Sequence, residues 1–503
     1  MRRFYPLAPL LLLLFSVVSC VPAVIPSTPT EVVTQPVVSQ PVVSVTEDVG
    51  ITPLEAPSTA PTPSPQPALT GTPDIFPDLE AQPLERTQYH ILATLDYPRR
   101  SLSVEERIIV LNQNGQALDS LVFILEPQRL SPQFQLLELY WEDGSAVDRY
   151  VLEDGMLRIP LAQALQPEEH LALGMVFAYL IPSGSAPFGY TNKQINLADW
   201  YAFAPAFAGE WLAHPDAPVG EHLVYGLADY KVELRIQEGE AGLVVAAPVP
   251  EEPDGEVRRY TRTQARNFTL SISPDYVLLQ DASAAVRAFV FPEHTASGEA
   301  ALGCVRQALE LYTQLYGDPA LPMMNVVETD FPDGMEYDGL FFLNYQYFEY
   351  PGSGAIGGLC TLSAHETAHQ WWYRLVGSDT ALEPWLDESL CTFSELLFYE
   401  YLHPDAVNWW WGYRVNDYNP QGWVNSNIYE FDNYRPYVNA VYLRGVRFLD
   451  ALRRTAGDQA MLDFLAAYAQ ANRFGQADAD SFFTIWQDTT GVDIETIREA
   501  YFK

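Results

Sequence analysis

From Tyr89 to about Val286 the chain alternates apolar and polar residues, or runs β-branched, in short stretches: HILATLDYP, ERIIVLNQ, SLVFILEP, FQLLELYWE, LALGMVFAYLI and YKVELRI. A period of two sends successive side chains to opposite faces of a strand, so these runs predict strands with a buried face. Turn pairs such as Asp143-Gly144 and Asp154-Gly155 separate them. Many short strands with few helical patterns predict an all-β domain, a saddle or sandwich, over residues 85–286. After the short apolar run RAFVF the period changes: GEAALGCVRQALELYTQLYG carries apolar residues at helical spacing and stops at Gly317. MNVVETD reads as a strand. Helices are predicted at about Leu362–Val376, Pro384–His403, Ala440–Arg454 and Ala460–Ala471, with short ones around Ser481–Asp488 and Ile494–Phe502. Residues 287–503 are therefore expected to form an α+β domain, making the chain multidomain.

Ahead of Glu85 neither period is present. Residues 20–84 are dominated by Pro, Thr, Ser, Val and Ala (PSTPTEVVTQPVVSQPVV, APSTAPTPSPQP), a composition that cannot bury a core and predicts an extended tether. Residues 1–19 have the form of a signal peptide, with Arg2 and Arg3 before an apolar stretch from Leu7 to Val18. Val17-Val18-Ser19-Cys20 resembles a bacterial lipobox, which implies a lipidated Cys20 anchoring the protein to the membrane outside the cytoplasm.

Charge and cysteine content narrow the partners. A formal net charge of −37 on 503 residues argues against nucleic acid and anionic membrane surfaces as partners. Beyond Cys20 three cysteines remain, Cys304, Cys360 and Cys391, an odd number that leaves at least one thiol without a bridge. Cys360 and Cys391 flank the two helices that carry the chemistry below. A bridge between them is conceivable, but their spacing does not clearly place them face to face, and no pairing is assigned.

That chemistry lies in SAHETAHQWW and PWLDESL. His365 and His369 stand four apart, so on a helix both imidazoles lie on one face and can reach one metal ion, with Glu366 beside them as a general base. A catalytic zinc site takes three protein ligands and keeps a fourth position open, and Glu388, nineteen residues beyond His369, supplies the third. Thr392, one turn beyond Glu388, is a candidate for supporting the ligands. His214, His222 and His403 are expected to be structural, as is the run Trp409–Trp411, for which a peptide-stacking subsite is the alternative.

HETAHQWW…LEPWLDESL resembles the HExxHxW…WLNEGF pattern of the aminopeptidase N family of gluzincins. Departures are Trp372-Tyr373-Arg374 and Asp387, the latter in place of the usual Asn, and they are expected to touch packing and pocket lining more than metal binding. Asp333-Gly334-Met335-Glu336-Tyr337 resembles the family's GxMEN segment, which implies that Gly334, Met335 and Glu336 bind substrate, with Glu336 on its free amino group. Tyr437, then Tyr442-Leu443-Arg444-Gly445, resembles the family's tyrosine followed by YxKG, which implies that Tyr442 donates a hydrogen bond to the oxyanion. The phrases APAFAGEWLAHP and ADYKVEL are similar to that family's N-terminal domain.

The resemblance implies a thermolysin-like (gluzincin) catalytic domain, one Zn2+ per chain held by His365, His369 and Glu388, and peptide or protein N-termini as substrate. With about sixty residues after Tyr442, the family's large C-terminal helical domain is expected to be absent and the groove correspondingly more open. An aminopeptidase is the leading reading. An endopeptidase using the same zinc site, and a catalytically impaired peptide-binding lipoprotein, are the alternatives.

Overall fold

A computed structural model of the protein describes residues 84–237, 242–252, 257–283 and 285–503; the leader, Cys20 and the tether up to residue 83 lie outside the described residues. The alternating runs form a six-stranded sheet from β1 (Thr87–Asp96), β2 (Ser101–Leu111), β3 (Gln135–Trp141), β4 (His170–Leu180), β5 (Ala228–Ile236) and β6 (Val257–Ala265), in the order β6-β5-β1-β2-β4-β3. β1 and β5 run parallel and the other pairs antiparallel. A three-stranded and a four-stranded sheet complete the region, and Tyr89, Phe123, Phe177, Trp200, Tyr230 and Phe268 belong to its common core. The period of two is visible in β2, where Leu102, Val104, Ile108 and Val110 are buried. Glu106 shares that face and is itself fully buried, because its carboxylate accepts the Ala202 N–H at 3.0 Å.

A second, five-stranded sheet is built from β7 (Val277–Gln280), β8 (Val286–Val290), β9 (Met324–Thr329), β10 (Gly334–Tyr337) and β11 (Leu340–Asn344), ordered β7-β8-β9-β11-β10. It begins ahead of the expected boundary at residue 286, since β7 folds back on β8 as an antiparallel pair instead of joining the first region. β10 forms its edge, antiparallel to β11. Helix α1 (Thr295–Tyr316) lays Ala301, Val305, Ala308 and Tyr312 inward, the expected helical spacing.

The helix carrying HETAH is α2 (Gly358–Ala368). The expected single run to Val376 is broken: Gln370–Leu375 is a π-turn, in which the Arg374 N–H donates to His369 O at 2.9 Å and Trp372 leaves helical geometry. The widened turn lets three large polar-tipped side chains find buried acceptors. Trp371 reaches Gly317 O, Trp372 reaches Ser394 Oγ, and Arg374 reaches Asp338. A disulfide joins Cys304 of α1 to Cys360 of α2, leaving Cys391 free and buried.

Helix α3 (Trp385–Leu402) carries Glu388, and α4 (Tyr434–Val438) leads through a π-turn (Asn439–Leu443) into α5 (Arg444–Ala456). Gly445 is where α5 meets α3: a Cβ there would lie 2.0 Å from Ser389 Oγ, so only glycine permits the approach. Helices α6 (Asp458–Ala471), α7 (Ala479–Thr490) and α8 (Glu495–Tyr501) follow, close to the expected positions.

Candidate metal centre and active site

His365 and His369 sit on consecutive turns at the end of α2, and Glu388 sits in the first turn of α3. Ligand atoms of the three, all buried, lie within 4.8 Å of one another. Glu388 Oε2 is 3.1 Å from His365 Nε2 and 3.8 Å from His369 Nε2. Each imidazole is oriented through its other nitrogen: His365 Nδ1 is 2.7 Å from Glu395 Oε1, and His369 Nδ1 is 2.6 Å from Asp387 Oδ1. Two histidines with carboxylate partners and one carboxylate ligand fit a catalytic zinc ion.

Sequence reasoning missed both partners. Thr392 bonds the backbone oxygen of Glu388 at 2.8 Å and touches neither imidazole. Asp387, expected to matter for packing, is the direct support of His369, so that expectation is corrected: one helix turn places it against the ring as well as beside Glu388. Glu395 lies seven residues after Glu388, two turns along the same face of α3, a spacing that could have flagged it. It is fixed by Trp410 Nε1 at 3.0 Å and by Arg414 at 2.8 Å. Burial works against its charge, but Arg414 and His365 outweigh burial and pull its carboxyl down to about 2. Trp410 is thus a buried support for Glu395 and not a surface for stacking peptides.

Glu366 projects from α2 toward β10. A Cβ on Gly334 would lie 2.2 Å from Glu366 Oε1, so the edge strand comes this close only because residue 334 has no side chain. Glu366 is 4% exposed, and its Oε2 has no hydrogen-bond partner. Burial pushes its carboxyl up to about 8, with His369 and His365 pulling the other way; a bound cation would lower it further. Across the site, Tyr442 donates its hydroxyl to Glu388 Oε1, and its ring stacks on His365 with centroids 5.8 Å apart. Tyr437 packs edge-on to Tyr442 at 5.6 Å.

Along β10, Glu336 lies two residues beyond Gly334, 4% exposed, with Oε1 3.6 Å from His369 Nδ1 and without a hydrogen-bond donor. Beside it lies Glu221, from a loop of the β-rich region, which no motif picks out. Oxygens of Glu221, Glu336 and Asp387 fall within 4.8 Å of one another. Burial, then the charges of Glu388 and Asp387, push Glu221 up to about 8. Nothing local in the sequence ties residue 221 to residue 336; only the packing of the two regions does. The structure therefore gathers His365, Glu366, His369, Glu388, Tyr442, Gly334 and Glu336 at one place. Met335 lies next to them on β10, packed against the core that holds Phe342 and Tyr337.

Residues 299–501 match the profile of the Peptidase family M1 domain. Aminopeptidase N of Lactobacillus helveticus is 26% identical over 228 residues, covering 40% of this chain and 26% of that protein. The Tricorn protease-interacting factor F2 of Thermoplasma acidophilum is 23% identical over 220 residues, covering 40% of this chain and 28% of the factor. The chain thus matches about a quarter of the length of these relatives. Among solved structures, an M1 zinc metallopeptidase from Deinococcus radiodurans superposes with a TM-score of 0.60 at 18% identity, covering 82% of this chain and 92% of the other. A mutant described as a two-domain M1 zinc metallopeptidase bound to L-arginine gives a TM-score of 0.59 at 18% identity, with coverage of 82% and 93%.

Proposed function

We propose, from the match of residues 299–501 to the Peptidase family M1 domain, that the protein is a zinc-dependent aminopeptidase that removes residues from the N-termini of peptides. His365, His369 and Glu388 would hold the zinc, with Glu395 and Asp387 fixing the two rings. Zinc in such a site supplies a Lewis acid for the scissile carbonyl and makes water nucleophilic near neutral pH.

The chain's own groups do the rest. The free edge of β10 offers backbone hydrogen bonds to an extended peptide. Glu336 and Glu221 accept the N–H groups of the peptide's ammonium, which fixes the amino end and counts off one residue. Glu366, beside Gly334, takes a proton from the attacking water and hands it to the leaving amine. Tyr442 turns its hydroxyl from Glu388 to the carbonyl oxygen as that oxygen gains charge.

The observation that carries the amino-end reading is Glu336: a buried carboxylate oxygen with no donor, next to Glu221, with the general base beside Gly334, two residues back along the strand. A buried carboxylate without a donor costs stability, and a cationic ligand is the chemistry that removes the cost. The test compares one peptide with a free and an acetylated N-terminus. The free form should be cleaved at least about a hundredfold faster, the value of a charge-assisted anchor near 3 kcal/mol; equal rates remove the aminopeptidase reading and favour an endopeptidase.

We also place the protein outside the cytoplasm, lipid-anchored through Cys20, on the strength of the leader and lipobox pattern. The Cys304–Cys360 disulfide supports an oxidising compartment. Cys20→Ser should release the protein from the membrane fraction, and continued attachment would refute the anchor.

A further inference from the structure

Asp333 stands at the rim of the site with its backbone at φ +105°, a region that non-glycine residues rarely occupy. Such strain persists only where surrounding contacts over-determine it. Here they do. Tyr347 donates to Asp333 Oδ1 at 3.1 Å, and Tyr434 donates to Oδ2 at 2.8 Å. The backbone oxygen of Asp333 also accepts the Asn344 N–H at 2.9 Å.

The Tyr434 bond differs from the others because of what it joins. Asp333 directly precedes β10, the edge strand, while Tyr434 opens α4, the segment that continues to Tyr437 and Tyr442. Those two elements are opposite walls of the site: β10 approaches Glu366, and the segment after α4 reaches Glu388 through Tyr442. The bond between Asp333 and Tyr434 therefore crosses the groove. Tyr434 is 47% exposed, so the crossing is at the rim and not within the packed wall.

Its position along the groove follows from the proposed function, on which this inference rests. With the peptide's amino end at Glu336 and the scissile bond beside Gly334 and Glu366, the peptide runs antiparallel to β10. One further residue, a step of roughly 3.3 Å, brings it to Asp333. The first residue of the leaving peptide thus ends beneath the crossing, and only residues beyond it must pass through.

We propose that Asp333 and Tyr434 form a gate across the leaving-group side of the groove and set the length of peptide the enzyme prefers. With the bond intact, short peptides fit beneath it, and longer ones enter only when it opens. This qualifies the expectation of an open groove: the rim is spanned by the chain's own side chains.

The test measures kcat/KM for a dipeptide and for a ten-residue peptide with the same first two residues. Tyr434→Phe keeps the ring and removes the donor. Asp333→Gly removes the acceptor of both Tyr434 and Tyr347 and suits the backbone angle, so relief of strain offsets the lost Tyr347 bond. Each should raise the long-to-short ratio about tenfold or more, the low end of the worth of a hydrogen bond to a charged group. The double variant should give no more than Asp333→Gly alone, because that substitution already removes the acceptor of Tyr434. A ratio that stays constant or falls in both variants overturns the gate. If the parent protein cleaves free and acetylated peptides equally, the amino-end reading fails instead, and the two failures are distinguishable.

Discussion

Two buried carboxylates two residues apart on one segment, Glu336 and Asp338, are treated in opposite ways. Asp338 is enclosed by cations: Arg262 and Arg374 both donate to its Oδ1, and the Arg266 N–H donates to Oδ2 at 3.0 Å. Burial alone would raise its carboxyl, but the two guanidinium groups hold it below the usual range. Its own N–H is taken by Asn267, and the next residue's by Gln370. These bonds tie the β-rich region, the edge strand and the π-turn after α2 into one junction. Glu336 has no such company. Its neighbours are Glu221, Asp387, Glu366 and His369, whose near nitrogen is bonded to Asp387, and one of its oxygens has no donor. The difference separates structure from function: a buried charge with its partners inside the chain holds the fold, and one without them awaits a partner from outside.

The largest expected effect bears on Glu366, the general base beside the unpartnered Glu336. Glu366→Gln keeps the size of the side chain and removes its basicity, so kcat should fall about a thousandfold or more, within the range for a general base. Metal content should stay near one zinc per chain, since Glu366 is not among the three ligands. Loss of zinc in step with activity would move Glu366 from base to metal support.

Asp338→Asn attacks the other side of the comparison. It leaves Arg262 and Arg374 buried without a counter-ion, which should destabilise the fold by about 3–5 kcal/mol. Urea unfolding should show the loss as a lower midpoint. A midpoint close to that of the parent would mean that the junction does not depend on this charge, and the contrast with Glu336 would lose its structural half.

Next in size is Glu336→Gln. Removing one of several crowded negative charges should leave stability unchanged or raise it, as is common where a site holds strain for function. Yet kcat/KM on free-amino peptides should fall about ten- to a hundredfold, with little change on acetylated ones. A variant that is less stable and equally active would show that Glu336 belongs with Asp338.

How far the sequence carried this contrast depends on the range of each contact. The three metal ligands and Glu366 follow from helical spacing and one fixed interval, so they were legible. Glu336 and Tyr442 were legible through short motifs around them. Glu395 obeys a helix-face rule and was readable in principle, but a glutamate two turns along is common and draws no notice. Glu221 is over a hundred positions from Glu336, and Arg262, Arg266 and Arg374 lie 76, 72 and 36 positions from Asp338, separations that no local period encodes. The strands of the β-rich region were visible as alternation, while the membership of β7 in the second sheet was not, because a four-residue strand carries no mark of its partner. The break of α2 into a π-turn escaped for a similar reason: its cause is a set of distant acceptors for Trp371, Trp372 and Arg374.

Asp199 gives the smallest effect and the finest test, because it lies between the two cases. Its only side-chain donor is the Tyr225 hydroxyl, at 2.7 Å, and burial, with that bond working against it, pushes its carboxyl up to about 7. The folded state therefore holds a proton that the unfolded state, near 3.8, has released. Between those values folding takes up a proton, so stability falls as pH rises through the window, and above pH 7 the full cost is present. Asparagine keeps the acceptor for Tyr225, tolerates the residue's φ of +52°, and carries no charge. Asp199→Asn should therefore gain about 1–2 kcal/mol over the parent at pH 8, discounted for the group's partial exposure, and almost nothing at pH 4. Scanning calorimetry at the two pH values reads this directly. A variant destabilised at both would place Asp199 with Asp338, as a charge that a single tyrosine is enough to hold.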